Sequence, residues 1–119
     1  MNIQNIVKEI KRNNEEERRR IKDRVVHALE EVERLKRDFL KIDGDMEKMI
    51  LFGSLSEGGI DSFDFDIDLA VKSEQYYQLV GRALQSDFKV DVVDLDSVYE
   101  SIRARIMEQG RVIYEKGPG

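Results

Sequence analysis

The stretch Phe63-Asp-Phe-Asp-Ile-Asp-Leu-Ala-Val71 alternates apolar residues with aspartates and then turns wholly apolar. A repeat of two is the period of a β-strand, whose successive side chains point to opposite faces. The pattern predicts a strand over Phe65–Val71 that buries Ile67 and Leu69 and places Asp66 and Asp68 together on the other face. Residues i and i+2 on one face lie roughly 7 Å apart. Two bare carboxylates at that separation repel by about 2 kcal/mol at an effective dielectric near ~20. A fold that keeps such a pair next to its core needs a compensating cation. With few bases nearby in sequence, a hard divalent metal is the natural candidate, because carboxylate oxygens suit Mg²⁺.

Taken alone, the alternation also fits an edge strand with one solvated face. A calcium loop fits worse. Counted from Asp64, such a loop has Leu69 where its glycine belongs and Gln75 where its bidentate glutamate belongs. What favours a site is the neighbouring sequence. Met49-Ile-Leu-Phe52 reads as a short apolar strand that runs into Gly53-Ser54, and residues 55–63 read as a Gly- and Ser-rich loop. A glycine lets a phosphate approach the backbone closely, and a serine hydroxyl with nearby N–H groups can hold its oxygens. Downstream, Phe88 to Leu95 reads as a third strand carrying Asp91 and Asp94 on opposite faces. If that strand neighbours the first acidic one, Asp91 joins Asp66 and Asp68, and Asp94 is the fallback. Three carboxylates around two metal ions suit in-line phosphoryl or nucleotidyl transfer.

Ahead of the strands, Ile3, Ile6, Val7 and Ile10 have helical spacing. Asn14 followed by Glu17 reads as a capping-box restart. From there Ile21, Val25, Leu29, Val32, Leu35 and Phe39 form one apolar stripe that should end near Ile42, before Gly44. The run Glu15-Glu-Glu-Arg-Arg-Arg20 sets acids three and four residues from bases, the pattern of a solvated helix face. The lone His27 flanks the stripe and is not read as catalytic. Residues 73–86 read as a helix with Tyr76, Tyr77, Val80 and Leu84 inward. Val98 to Met107 reads as a helix with Ile102 and Ile106 on one face, and Val112 to Tyr114 as a last short strand. The order gives an α+β (α/β-like) class, a small mixed β-sheet with helices packed on it, preceded by a long N-terminal helix. The expected organisation is a helical extension over 1–47, a core over 48–115 and a flexible tail over 116–119.

Composition narrows the function. There is no cysteine, so neither disulfides nor thiolate metal sites arise. No apolar run approaches the roughly 20 residues of a membrane span, and the start does not resemble a signal peptide; a cytoplasmic protein is expected. Residues 1–50 hold 13 Lys/Arg against 12 Asp/Glu, whereas residues 51–119 hold 7 against 13. An acidic second half opposes tight duplex nucleic-acid binding, which needs a basic footprint.

Leu51-Phe-Gly-Ser54, Asp66-Ile-Asp-Leu-Ala-Val71, Val90-Asp-Val-Val-Asp-Leu95 and the closing Arg103-to-Tyr114 segment together resemble the DNA polymerase beta-type nucleotidyltransferase superfamily. The likeness is to its minimal branch, with MntA-like antitoxins of HEPN/MNT pairs, and it spans about residues 48–115. The resemblance implies a nucleotidyltransferase fold, Gly53 and Ser54 at the nucleoside triphosphate, and Asp66, Asp68 and Asp91 holding Mg²⁺, two ions in all. It implies transfer of a nucleoside monophosphate, such as AMP from ATP, to an acceptor hydroxyl, with a HEPN-type toxin as partner. Three features depart from the family pattern. Glu57 stands where relatives usually have an arginine, Phe65 stands where they usually have a serine, and the loop before Asp66 is one residue longer than theirs usually is. Glu57 and Phe65 keep a second reading open, a degenerate binding module that acts on a partner by contact alone.

Overall fold

No glycine or proline occurs before Gly44, so nothing in the first 43 residues breaks a helix. In the computed structural model, which describes residues 2–118, this segment is one helix, α1 (Ile3–Ile42). The expected restart at Asn14 does not occur. An asparagine inside a helix costs only about 0.7 kcal/mol or less relative to alanine, and the charge pairs around it favour continuation. Asn2 caps the start, its side chain accepting from the Gln4 N–H at 2.9 Å. At the other end the Asp43 N–H closes on the Phe39 carbonyl at 2.8 Å.

The two halves of α1 do different things. Ile21, Ala28, Val32, Leu35 and Phe39 are buried, and the last four belong to the main hydrophobic cluster. Leu29, expected in the stripe, is exposed, because the 21-28-32-35-39 series is the true inward line and Ala28 occupies its place. Ile3, Ile6, Val7 and Ile10 are all exposed. A 40-residue helix is about 60 Å long, and the molecule measures 69 × 29 × 23 Å, so the first half of α1 projects beyond the sheet.

The sheet is built from β1 (Lys48–Phe52), β2 (Ile67–Lys72), β3 (Val90–Asp94) and β4 (Arg111–Glu115), in the order β3-β2-β1-β4. β1 is antiparallel to both β2 and β4, and β2 and β3 are parallel. The crossover between the parallel pair is α3 (Tyr76–Ala83), as such a connection requires. The helix α2 (Ser54–Glu57) occupies the start of what reads in the sequence as loop, and α4 (Glu100–Gln109) precedes β4. β2 begins at Ile67, so Phe65 and Asp66 lie just before the strand rather than in it.

The strands sort their side chains by parity. Met49, Leu51, Ile67, Leu69 and Val71 face α1 and α3 and join Phe39 and Leu35 in the larger cluster. Ile50 and Ala70 face the other way and pack with Leu95 and Ile106. In α3 the inward residues are Leu79 and Ala83, with Tyr76 and Val80 half-buried. Tyr77 and Leu84, expected inside, are exposed. The helix starts at Tyr76, so its inward face follows positions 76, 79, 80 and 83. Tyr76 also ties the crossover to the sheet, its hydroxyl donating to the Val92 carbonyl at 2.6 Å. At the α4–β4 junction a side chain on Gly110 would come within 3.2 Å of the Leu51 carbonyl oxygen and closer still to Ile50, so only glycine fits.

Polar ties complete the helix layer. Arg82 pairs with Asp38 at 2.7 Å, holding α3 to α1 and lowering the Asp38 carboxyl below its ordinary range. Glu31 is buried and accepts from both Arg34 and Ser86. Among the described residues no helix is long and apolar enough to cross a membrane.

The two halves of α1 should separate in experiment. Deleting residues 2–17 should reduce the helical circular-dichroism signal and change unfolding stability in urea by less than about 0.5 kcal/mol. Phe39→Ala should cost about 3–5 kcal/mol in the same assay.

Candidate active site

β1 delivers Phe52 to the edge of the core and the chain then turns at Gly53. Gly53 has φ +74°, a left-handed conformation that other residues adopt only with strain. Space forbids a side chain as well: a Cβ there would lie 3.1 Å from Cγ of Asp68 and collide with its Oδ2. Gly53 therefore lets the turn sit directly against the Asp68 carboxylate. Its carbonyl accepts from the N–H groups of Ser56 and Glu57 at 3.1 and 3.0 Å, which opens the short helix α2. Ser54, the first residue of that turn, is exposed.

Asp68 is the register partner of Phe52 on β1 and of Asp91 on β3. Parallel pairing thus sets the two aspartates side by side, on the sheet face opposite α1 and α3. Asp94, the fallback third carboxylate, pairs in register with Val71 and takes a different job. Its oxygens accept from the Asp96 N–H and the Ser97 hydroxyl, at 3.0 and 2.9 Å, closing the turn after β3. Asp66 precedes β2 and faces Lys89, whose Nζ is 3.6 Å from Oδ2.

The electrostatics follow. The Asp68 carboxyl is held above its ordinary range, first by burial and then by the charges of Asp91 and Asp66, with Lys89 opposing. One lysine faces three carboxylates that feel one another. This all-oxygen donor set is the kind a hard cation takes. Among the described residues no three His, Cys, Asp or Glu side chains are already drawn together as a metal-ligand group. His27 is exposed on α1.

A family model described as polymerase beta, nucleotidyltransferase matches residues 33–118, well over half of the chain. The chain belongs to this nucleotidyltransferase family. Its described fold, a long helix followed by a small mixed sheet with packed helices, is that of the family. Solved structures agree. A chain of a toxin–antitoxin crystallised with AMP-PNP is 26% identical with a TM-score of 0.58, over 71% of this chain and 73% of that one. A variant of the MntA-HpeT toxin–antitoxin is 26% identical with a TM-score of 0.52, over 73% and 71%. A structure from Shewanella oneidensis, at 22% identity, shares the fold, with a TM-score of 0.50 over 69% and 68%. No curated protein sequence matches the chain significantly.

Two parts of the candidate site in this nucleotidyltransferase-family chain are not apparent in the linear sequence. Lys89 reads as the polar start of a strand, yet the pairing of β2 and β3 sets it beside Asp66. A cleft beside Gly53 is walled by Glu57 from α2 and by Ile102, Arg105 and Ile106 from α4. The helical spacing of Ile102 and Ile106 was visible in sequence; their proximity to Gly53 was not.

Two substitutions probe this geometry. Gly53→Ala should destabilise the fold by about 1–3 kcal/mol or displace Asp68, read by urea unfolding. Asp68→Asn removes a half-buried, repelled charge, so in metal-free buffer it should raise the thermal midpoint by a few degrees. A lower midpoint would contradict the electrostatic account.

Proposed function

We propose that this nucleotidyltransferase-family chain moves a nucleoside monophosphate, AMP from ATP in the first instance, onto a hydroxyl of a protein partner. The observation that carries the reading is the Asp68–Asp91 register pair, with Asp68 set directly against Gly53. Neighbouring carboxylates, one of them against a glycine turn, form an arrangement suited to Mg²⁺-dependent transfer, and their mutual repulsion favours a cation. Asp66, Asp68 and Asp91 would hold the metal, which when bound neutralises phosphate charge and polarises the α-phosphorus. Gly53 admits the phosphate chain close to the backbone, and the Ser54 hydroxyl donates to a phosphate oxygen. Asp91, exposed at the rim, accepts the proton of the acceptor hydroxyl. The acceptor oxygen bonds to the α-phosphorus, the bond from that phosphorus to the bridging oxygen breaks, and pyrophosphate leaves.

A HEPN-type toxin is the proposed partner. The sequence resemblance supports this, as does the description of similar structures as toxin–antitoxins, one of them with AMP-PNP. In that arrangement the chain acts as the antitoxin.

A second reading draws on Glu57, which places another negative charge in the cleft beside Gly53. It is a module that neutralises its partner by contact alone. Asp66→Asn separates the two. The transferase reading expects labelled AMP to pass from ATP to the partner with Mg²⁺, and transfer by Asp66→Asn to fall at least about a hundredfold with the fold intact. Neutralisation of the partner that survives Asp66→Asn unchanged, without any transfer by the wild type, would establish the contact-only module instead.

A further inference from the structure

The acidic face needs a cation on its far side if a polyphosphate is to rest there, and α4 supplies one. α4 packs on the same sheet face as Asp68: Ile50 and Ala70 on that face contact Ile106, and their strand neighbours Phe52 and Asp68 are register partners. Beyond Ile106, the helix and the turn at Gly53 enclose an open cleft of about 250 Å³, whose walls include Phe52, Gly53, Glu57, Ile102 and Arg105. Three of these residues are apolar or glycine. Arg105 is the only base among the lining residues.

The bases of this region differ in what already occupies them. Arg103, two residues earlier, donates to the Leu95 carbonyl at 2.8 Å and pairs with Glu100 at 3.3 Å. Lys89 is taken up by Asp66. Arg105 is exposed, and its one side-chain partner is Gln109 on its own helix, Nε to Oε1 at 3.4 Å. Among the described residues it makes no salt bridge, although Glu57 lines the same cleft. Ile106, the one buried residue of α4, does the packing of the helix, which leaves the guanidinium without a structural duty.

We infer that Arg105 binds the phosphate chain of the nucleoside triphosphate, from the wall of the cleft facing Gly53. The inference rests on the transferase reading and assigns a residue that the alternating aspartates and the Gly-Ser pair do not. A guanidinium presents paired N–H donors that match phosphate oxygens, keeps its charge at any working pH and is more weakly hydrated than an ammonium. It offsets the Glu57, Asp66, Asp68 and Asp91 charges that a polyphosphate would otherwise meet on this face. A base at this place acts on phosphate number: it favours a triphosphate over a monophosphate, leaving contacts to the nucleoside unchanged.

The test is calorimetric titration of ATP and of AMP, each with Mg²⁺, into the full chain and its Arg105→Gln and Arg105→Lys variants. Arg105→Gln should weaken ATP about ten- to hundredfold, leave AMP within about twofold and leave the thermal midpoint unchanged. Arg105→Lys should recover part of the ATP affinity. ATP binding by Arg105→Gln equal to that of the wild type overturns the inference and leaves the transferase reading standing. Equal losses for ATP and AMP also overturn it, since they mark a general disturbance of the cleft. A wild type that binds neither nucleotide overturns both.

Discussion

The parallel pairing of β2 with β3 governs the functional side of this molecule. It sets Asp68 beside Asp91, brings Lys89 to Asp66, and turns Asp94 away to close a turn. A shift of one residue in this register would put a valine opposite Asp68, since side chains alternate along a strand. The register is held by burial on the opposite face, where Ile67, Leu69 and Val71 lie in the main cluster with Phe39 and Leu35. The crossover helix α3, pinned by Tyr76 to Val92 and by Arg82 to Asp38, fixes it further. Apolar packing against α1 thus sets the spacing of charged groups on the far face.

Those charged groups oppose the fold that positions them. Asp68 is half-buried beside two other carboxylates, with a single lysine to relieve them. Left without a cation, the arrangement loses stability to repulsion, a cost that a bound cation would remove. Gly53 serves the same end by a different route. Its positive φ and lack of a side chain let the turn lie against the Asp68 carboxylate, so a phosphate held by the turn would reach the carboxylates directly.

Much of this was legible in the sequence because it rests on local rules. The alternation around Asp66 and Asp68 marked a strand, and the Gly53-Ser54 pair after an apolar run marked the turn. The apolar stripe ahead of Gly44 foretold where α1 ends, near Ile42. Where local reading went astray, the reason was a choice between equal patterns. Asn14 resembled a cap but lay inside a continuous helix. Leu29 outweighed Ala28 by size although the smaller residue sits on the inward line. Tyr77 and Leu84 gave way to Leu79 and Ala83 once the helix began at Tyr76.

By itself the sequence determined the four strands, the helices α3 and α4, the end of α1 and the candidate residues for the chemistry, since periodicity, glycine and charge act within a few residues of the chain. Only the tertiary structure decided which carboxylate stands beside Asp68, which base answers Asp66, and that Arg105 shares a cleft with Gly53. These depend on strand order and on where α4 lies across the sheet. Both are set by burial of apolar faces between segments far apart in the chain, a constraint that no local pattern encodes.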